Sequence, residues 1–457
     1  MKDFKKIHNF HFVGIGGVSM SAIAKLLLSM GKAVSGSDAT RSAYITSVAR
    51  AGGKVRLGKF PSAVRRAEFV VYTVSVSQEN ADLVLARSLN IPIVERAVFL
   101  GMVAQYYKNI IAVSGTHGKT STTAMLAECL VGSGRDPTVH LGGHLKSIGG
   151  NLRLGVRNIF LTEACEFNKS FLHLFPHISV ITNIEPDHMD CYKDKAELVS
   201  TFKQFAHQTK SVVVLHGDVL DRSEFKTAAN LVCFGLGKHN DVCATNIASG
   251  SDGRFSFELI CYGKVMGIVR VGAMGKHQVL NALATIAVCV CLGLNIDDIK
   301  QSIQNFSGVE RRFQLIYENE TKVFHDYAHH PTEIKAAIST ARLLAKNKVI
   351  CVFEPHTFTR TKFLWEEFKL AFEGADELYL LPTYAAREEE IIGARAQDMA
   401  KAIAGVDKVQ FVDDLNMLHD ELRQKLDESN VIIFMGAGNI EQTAHQFVVE
   451  IGANPLT

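Results

Sequence analysis

The run Ser114-Gly115-Thr116-His117-Gly118-Lys119-Thr120-Ser121 brings glycines, hydroxyls and a lysine into one short stretch. Glycines let backbone N–H groups turn inward around phosphate oxygens, and a helix start adds positive potential to the same point. Lys119 would offer a compact cation to the β- and γ-phosphates, and the Thr120 hydroxyl suits magnesium. A complete P-loop has a further glycine five positions before Gly118, where this chain has Val113. The competing reading is a glycine turn that only caps a helix. An apolar strand over 110–113 and a helix from 119 to about 131 flank the run and favour nucleotide binding.

Other polar groups follow strands too. Glu163 and Glu166 come after a strand over 159–162, and Asp187-His188 follows one over 179–182. In open α/β sheets the carboxyl ends of strands form the ligand crevice. A carboxylate and an imidazole there could complete magnesium coordination beside the phosphate loop. His325-Asp326-Tyr327-Ala328-His329-His330-Pro331-Thr332-Glu333 is dense in titratable groups. His329 and Glu333, four apart, could share a helix face and bind a transition metal, contact a nucleotide, or simply cap a helix. Glu354-Pro355-His356-Thr357-Phe358-Thr359-Arg360 puts His356 and Arg360 at a crevice edge, where they suit a small carboxylate. Gly14-Ile15-Gly16-Gly17, with Asp38 after the next strand, fits a dinucleotide fingerprint except that Ser19 holds the third glycine position. NAD and a nucleotide-sugar pyrophosphate explain that loop equally well. Gly436-Ala437-Gly438-Asn439 reads as a strand-to-helix turn.

These groups need α/β units to position them. Phe10, Phe12 and Val13, the glycine turn, then Met20, Ile23, Ala24, Leu27 and Leu28 at helical spacing make a βαβ start to a parallel, doubly wound sheet. Strands at 69–74 and 91–94 extend it to about residue 108. A second βα start at 110 leads to strands at 159–162, 179–182 and 212–215, β-hairpins from 243 to 271, and a helix over 277–292 closed by Gly293. A third α/β segment opens near 320, with Pro331 first in a helix to 344 and strands at 349–353, 378–381 and 431–434. The expected division is 1–108, 109–318 and 319–457, in an α/β fold of three domains: Rossmann-like, central P-loop ATPase-like with β-hairpin additions, and Rossmann-like again.

The 457 residues include 47% hydrophobic side chains, enough for a core in each domain. Basic and acidic residues nearly balance, 49 against 47, so a nucleic-acid footprint is not expected. Glycines arrive too early for a secretory leader, and no apolar run approaches the ~18 residues of a membrane span. Nine scattered cysteines without CxxC spacing read as reduced thiols of a cytoplasmic protein.

Taken together, GIGG at 14–17, SGSD at 35–38, GTHGKTSTT at 115–123, TEACE at 162–166, TNIEPDHMD at 182–190, ERRFQ at 310–314, DYAHHPTE at 326–333 and PHTFTRT at 355–361 resemble the Mur ligase family over essentially the whole chain. The resemblance implies ATP-dependent ligation, with Mg2+, of L-alanine to the lactyl carboxylate of UDP-N-acetylmuramate through an acyl phosphate, in peptidoglycan precursor synthesis. A sister branch attaches a preformed peptide to the same nucleotide sugar. By the same carry-over, Gly14, Ile15, Gly16, Gly17, Ser37, Asp38 and Ser75 grip the uridine diphosphate, so the first loop is not an NAD site. Gly115, Thr116, His117, Gly118, Lys119, Thr120, Ser121, Asn281, Arg312 and Asp326 serve ATP. Thr120, Glu163 and His188 hold the metal, and Tyr327, His329, His356 and Arg360 shape the alanine pocket. Lys119, Glu163, His188 and His329 are the expected catalytic set. A monomer or weak homodimer without membrane insertion is implied.

Overall fold

The computed structural model describes residues 6–156, 158–426 and 429–456. Its first sheet is wholly parallel, in the order Lys54–Leu57, Ala33–Asp38, Asn9–Val13, Phe69–Tyr72, Ile93–Glu95. Strand order reverses beside Asn9–Val13, so the loop at 14–17 and the turn after Tyr72 open a crevice at one sheet end, the usual ligand position in such folds. Gly14 has φ +83°, and a Cβ there would come within 2.6 Å of the Thr73 side chain. The strand expected at 91–94 begins slightly later than its apolar run suggested, at Ile93, and the edge strand Lys54–Leu57 was not anticipated.

Ten strands form the central sheet. Asn109–Ser114 lies between Ile178–Ile181 and Ile159–Glu163, all parallel. Their carboxyl ends therefore surround the loop that leads into the helix Lys119–Gly132. That register is what brings Glu163 and Thr182, far apart in sequence, to one phosphate-type loop. The expected hairpins appear as Val242–Ser249, Arg254–Cys261 and Lys264–Met274, paired antiparallel at one sheet edge. The helix His277–Cys291 ends before Gly293 at φ +68°.

The third sheet runs Gln314–Glu318, Lys322–Asp326, Val431–Gly436, Val349–Glu354, Glu377–Leu380, Lys408–Phe411. Its first pair is antiparallel and the others are parallel. The hairpin Gln314–Asp326 was not anticipated, because its first strand carries polar ends and no strict alternation. Pro331 opens the helix Pro331–Leu344 as expected, and residues 436–439 do form a strand-to-helix turn.

Between the first and central sheets the apolar core is continuous. Phe10, Phe99 and Tyr107 belong to the same buried cluster as Phe160, Phe171 and Phe205, with the Tyr107 and Phe160 rings 4.9 Å apart. The helix Arg96–Ala104 lies so close to the segment at 167–173 that a Cβ on Gly101 would fall 2.2 Å from the His173 carbonyl oxygen. Gly101→Val should therefore lower stability by about 1–3 kcal/mol, the usual cost of overpacking. Urea unfolding would measure it.

Candidate active site

Lys119 begins its helix behind Gly118, whose φ of +80° turns the chain inward. Its ammonium donates to the Gly115 carbonyl at 2.5 Å, to the Thr116 carbonyl at 3.0 Å, and to both Glu166 oxygens at 2.9 Å. Burial on its own would lower the Lys119 pKa, but the Glu166 carboxylate raises it and keeps the cation charged. Glu166 is almost completely buried, and its backbone carbonyl accepts from the Tyr192 hydroxyl. Sequence reasoning named Glu166 as a crevice carboxylate without seeing that it is the lysine's counter-ion. A strand end fixes the backbone direction and not the partner.

The loop is held from the next strand. A Cβ on Gly115 would fall 2.0 Å from Thr182 Oγ1, so only glycine fits. Thr182 Oγ1 and Asn183 Nδ2 donate to the His117 carbonyl, and Asn183 Oδ1 accepts from the His117 amide. Thr120 Oγ1 donates to Glu163 Oε2 at 2.9 Å, and Glu163 Oε1 accepts from the Gly142 amide. A hydroxyl and a carboxylate in contact beside a phosphate loop supply the hard oxygen donors that Mg2+ prefers, so the residues present fit that ion.

A cavity of about 370 Å³ opens over this loop. The central sheet contributes His117, Gly118, Thr120, Ser121 and Asn281 to its wall, and the third sheet contributes Arg312, Asp326 and Glu333. Apolar Leu220, Phe234 and Leu280 line another part, where His216 stacks on Phe234 with rings 11° from parallel. Thr122 Oγ1 donates to Asn281 Oδ1, and Asn281 Nδ2 donates to Gln278. Burial first of all, and then Glu333, raise the Asp326 carboxyl to about 7, against the pull of Arg312.

The two halves of the cavity are clasped together. His117 Nδ1 lies 3.1 Å from Glu333 and its Nε2 3.4 Å from Glu185. Thr332 Oγ1 donates to Glu185 at 2.6 Å, and His330 Nε2 donates to the Pro186 carbonyl. Burial opposes the charged imidazole, yet the two carboxylates raise His117 to about 9. Ligand atoms of His117, Glu185 and His330 come within 4.8 Å of one another, near enough to share a metal ion, but the His117 imidazolium already supplies positive charge there. His330, not His329, caps the helix, and the His329 amide donates to Glu333.

A second cavity, about 430 Å³, is lined by Asp187, His188, His356, Thr357, Arg360, Arg387 and neighbours. His188 thus belongs to the wall of this cavity, whereas Thr120 belongs to the first. Arg360 donates to Asp187 at 2.9 Å and to His356 Nδ1 at 2.9 Å. Guanidinium is only a donor, so His356 Nδ1 must be unprotonated. Burial and Arg360 together hold His356 at about 4. His329 is the opposite tautomer. Its Nδ1 donates to the Tyr327 carbonyl at 2.8 Å, which leaves Nε2 with a lone pair. Burial above all, with Arg360, lowers it to about 3, while Glu333 and Asp187 pull the other way. The Tyr327 ring lies edge-on to His329, under the Arg311 and Arg312 guanidiniums.

In the first crevice Asp38 Oδ2 accepts from the Gly16 amide at 2.7 Å, and the Ser37 carbonyl accepts from Gly14 and Ile15. The Ser37 hydroxyl turns to the buried Asp82, in the first turn of the helix Ala81–Ser88, so this residue shapes the loop. Ser75 is exposed in the facing turn, next to Val74, whose carbonyl accepts from Arg387 of the third unit at 3.4 Å.

This fold and site define a phosphate-loop, nucleotide-binding protein of three α/β units. Residues 9–108 match the Mur ligase family catalytic domain, 113–289 the Mur ligase middle domain, and 311–438 the Mur ligase glutamate ligase domain. The chain belongs to the Mur ligase family. It is 36% identical over 455 residues to a UDP-N-acetylmuramate–L-alanine ligase of Caldanaerobacter subterraneus, spanning 98% of this chain and 99% of the relative. A ligase of the same name from Clostridium kluyveri is 39% identical over 454 residues, with coverage of 98% and 99%. Among solved structures, UDP-N-acetylmuramate–alanine ligase from Thermotoga maritima superposes with a TM-score of 0.82 at 29% identity, covering 97% of this chain and 99% of that one. A murein peptide ligase from Psychrobacter arcticus shares the fold, with a TM-score of 0.73 at 21% identity over 98% and 99% of the two chains.

The clasp makes a pH prediction. His117 is raised to about 9 from the ordinary 6.5, so its contribution is fully present below about 6.5 and is lost as pH rises through about 9. The difference in melting temperature between wild type and Glu185→Gln should be largest at the acid end of that window and should shrink beyond it.

Proposed function

We propose that this chain joins L-alanine to the lactyl carboxylate of UDP-N-acetylmuramate, with ATP converted to ADP and phosphate, as a step of peptidoglycan precursor synthesis. The observation that carries the reading is the pair of adjoining cavities. One combines a phosphate loop with Arg312 and Asp326, and the other combines a cationic Arg360 with oriented histidines. Relatives bearing the matching name along the whole chain support it. The units would divide near 108 and 318, holding the nucleotide sugar, ATP and the amino acid in turn. All nine cysteines are free, and no helix among the described residues is long and apolar enough to cross a membrane, both consistent with a cytoplasmic site of action.

A lactyl carboxylate oxygen attacks the γ-phosphorus, the bond to the ADP oxygen breaks, and an acyl phosphate forms. Lys119 exchanges part of its contact with Glu166 for phosphate oxygens and stabilises the charge that develops there. Thr120 and Glu163, in contact beside the loop, are the residues that would hold Mg2+, which supplies Lewis-acid charge neutralisation at the phosphates when bound. Arg360, buried against Asp187, offers its remaining donors to the alanine carboxylate. The amine of alanine must lose a proton before it attacks the acyl carbon and expels phosphate. His329 Nε2 holds the available lone pair; the alanine carboxylate would neutralise Arg360, whose charge with burial depresses this imidazole, and Glu333 and Asp187 would offset the imidazolium as it forms. His356 serves orientation, since Arg360 occupies its Nδ1. Packing of the third sheet over the loop keeps water from the acyl phosphate.

The test is phosphate release by the purified chain with Mg-ATP, UDP-N-acetylmuramate and either L-alanine, glycine, L-serine or a tripeptide. Release that needs both the nucleotide sugar and L-alanine is expected; release with the tripeptide alone would reassign the chain to the peptide-adding branch. Lys119→Ala should reduce turnover by about 10²-fold or more. His329→Gln should cut kcat by about 10²–10⁴-fold with little change in the KM for ATP, whereas His356→Gln should act mainly on the KM for alanine.

A further inference from the structure

Ser19, the residue that breaks the glycine pattern of the first loop, sits in the first turn of the helix Val18–Ser29. It is not idle there. Arg96 Nη1 donates to Ser19 Oγ at 3.3 Å, and Ser19 Oγ lies 2.9 Å from His140 Nε2. His140 Nδ1 is 2.9 Å from Thr162 Oγ1, whose own proton goes to the Glu163 carbonyl at 3.0 Å. The two ends of this chain fix every proton in it. A carbonyl can only accept, so Thr162 donates to Glu163 and must accept from His140 Nδ1–H. His140 Nε2 is then a lone pair and accepts from the Ser19 hydroxyl, which in turn accepts from the donor-only guanidinium. His140 is buried and is held neutral, at about 3, by burial and by the charge of Arg96. The chain thus runs in one direction, from the crevice of the first sheet to the Glu163 backbone carbonyl at the strand end beside the phosphate loop.

Arg96 itself is half-buried at the start of the helix Arg96–Ala104. No acidic side chain among the described residues forms an ion pair with it, although its charge reaches His140 and Cys165. The neighbouring helix start at Gly17 has no side-chain cap and no acid in its first turn. Arg96 and the uncapped helix start therefore face the same crevice, where the Asp38 carboxylate is engaged by the Gly16 amide and not by Arg96.

We propose that Arg96 binds an anionic group of the nucleotide sugar, and that Ser19 and His140 are positioning residues that aim it. This rests on the ligase reading above. The anion is either the pyrophosphate or the lactyl carboxylate, both of which suit a guanidinium fork. Ser19 would then tie nucleotide-sugar binding to the Glu163 strand end, so that the carboxylate substrate is presented where the phosphoryl group is transferred.

Calorimetric titration of wild type, Ser19→Ala, Arg96→Gln and Arg96→Lys with UDP-N-acetylmuramate, UDP-N-acetylglucosamine and UDP tests this, together with steady-state kinetics. Arg96→Gln should weaken UDP-N-acetylmuramate binding by about 10-fold or more. Ser19→Ala should raise its KM several-fold while the KM for ATP stays within about twofold of wild type, and Arg96→Lys should recover part of the loss. A loss shared by all three ligands assigns Arg96 to the pyrophosphate, and a loss confined to the muramate assigns it to the carboxylate. Folded Arg96→Gln that binds all three as wild type does would overturn the proposal. Should that variant not fold, an unchanged KM in Ser19→Ala would overturn it instead. Wild type that binds none of the three would instead refute the ligase reading itself.

Discussion

The Lys119 ammonium lies buried between Glu166 and two carbonyls of its own loop, and the neighbouring structure is arranged around that charge. Leaving one partner of a buried pair alone costs about 3–5 kcal/mol, so Glu166 must be delivered reliably to the same place. Tyr192 holds its backbone, and the strand Ile159–Glu163 delivers it beside Asn109–Ser114. Gly115 lets Thr182 close on the loop from the other side. The Glu166 carboxylate thereby offsets the charge of the loop's lysine, which stands beside the backbone N–H groups that suit a phosphate.

From this centre the other two units gain their roles. The third sheet reaches the loop through Glu333 and Thr332 on the first turn of Pro331–Leu344, which meet His117 and Glu185 across the cavity. The first sheet is joined through a continuous apolar core and through the hydrogen-bonded chain from Arg96 to Glu163. One contact is polar and depends on protonation; the other is mostly apolar and does not. The third unit is thus the one whose attachment is sensitive to pH.

Much of the fold was legible in local sequence. Pro331 at a helix start, Gly293 past a helix end and the hairpins after residue 242 follow from dihedral limits and alternation that act over a few residues. The hairpin at Gln314–Asp326 was missed because its apolar content is too sparse for a periodic signal. Of the site, Lys119, Thr120, Glu163 and Arg312 were named, and they line or adjoin one cavity. His188 was named with them but lines the neighbouring cavity with His356 and Arg360. Ser37 was named for the right loop, yet its hydroxyl turns inward to Asp82.

The chain's sequence by itself determined which residue types could do the chemistry and that they stand at strand ends, because the glycine loop and the alternation of strands and helices are written in neighbouring residues. Tertiary structure alone decided partners and protonation. Glu166 became the counter-ion of Lys119, Glu185 and Glu333 became the carboxylates that charge His117, and His329 and His356 took opposite tautomers. These depend on sheet register and on the approach of units more than a hundred residues apart, and the electrostatics of a buried group is set by what lies within a few ångströms of it, not by what lies beside it in the chain.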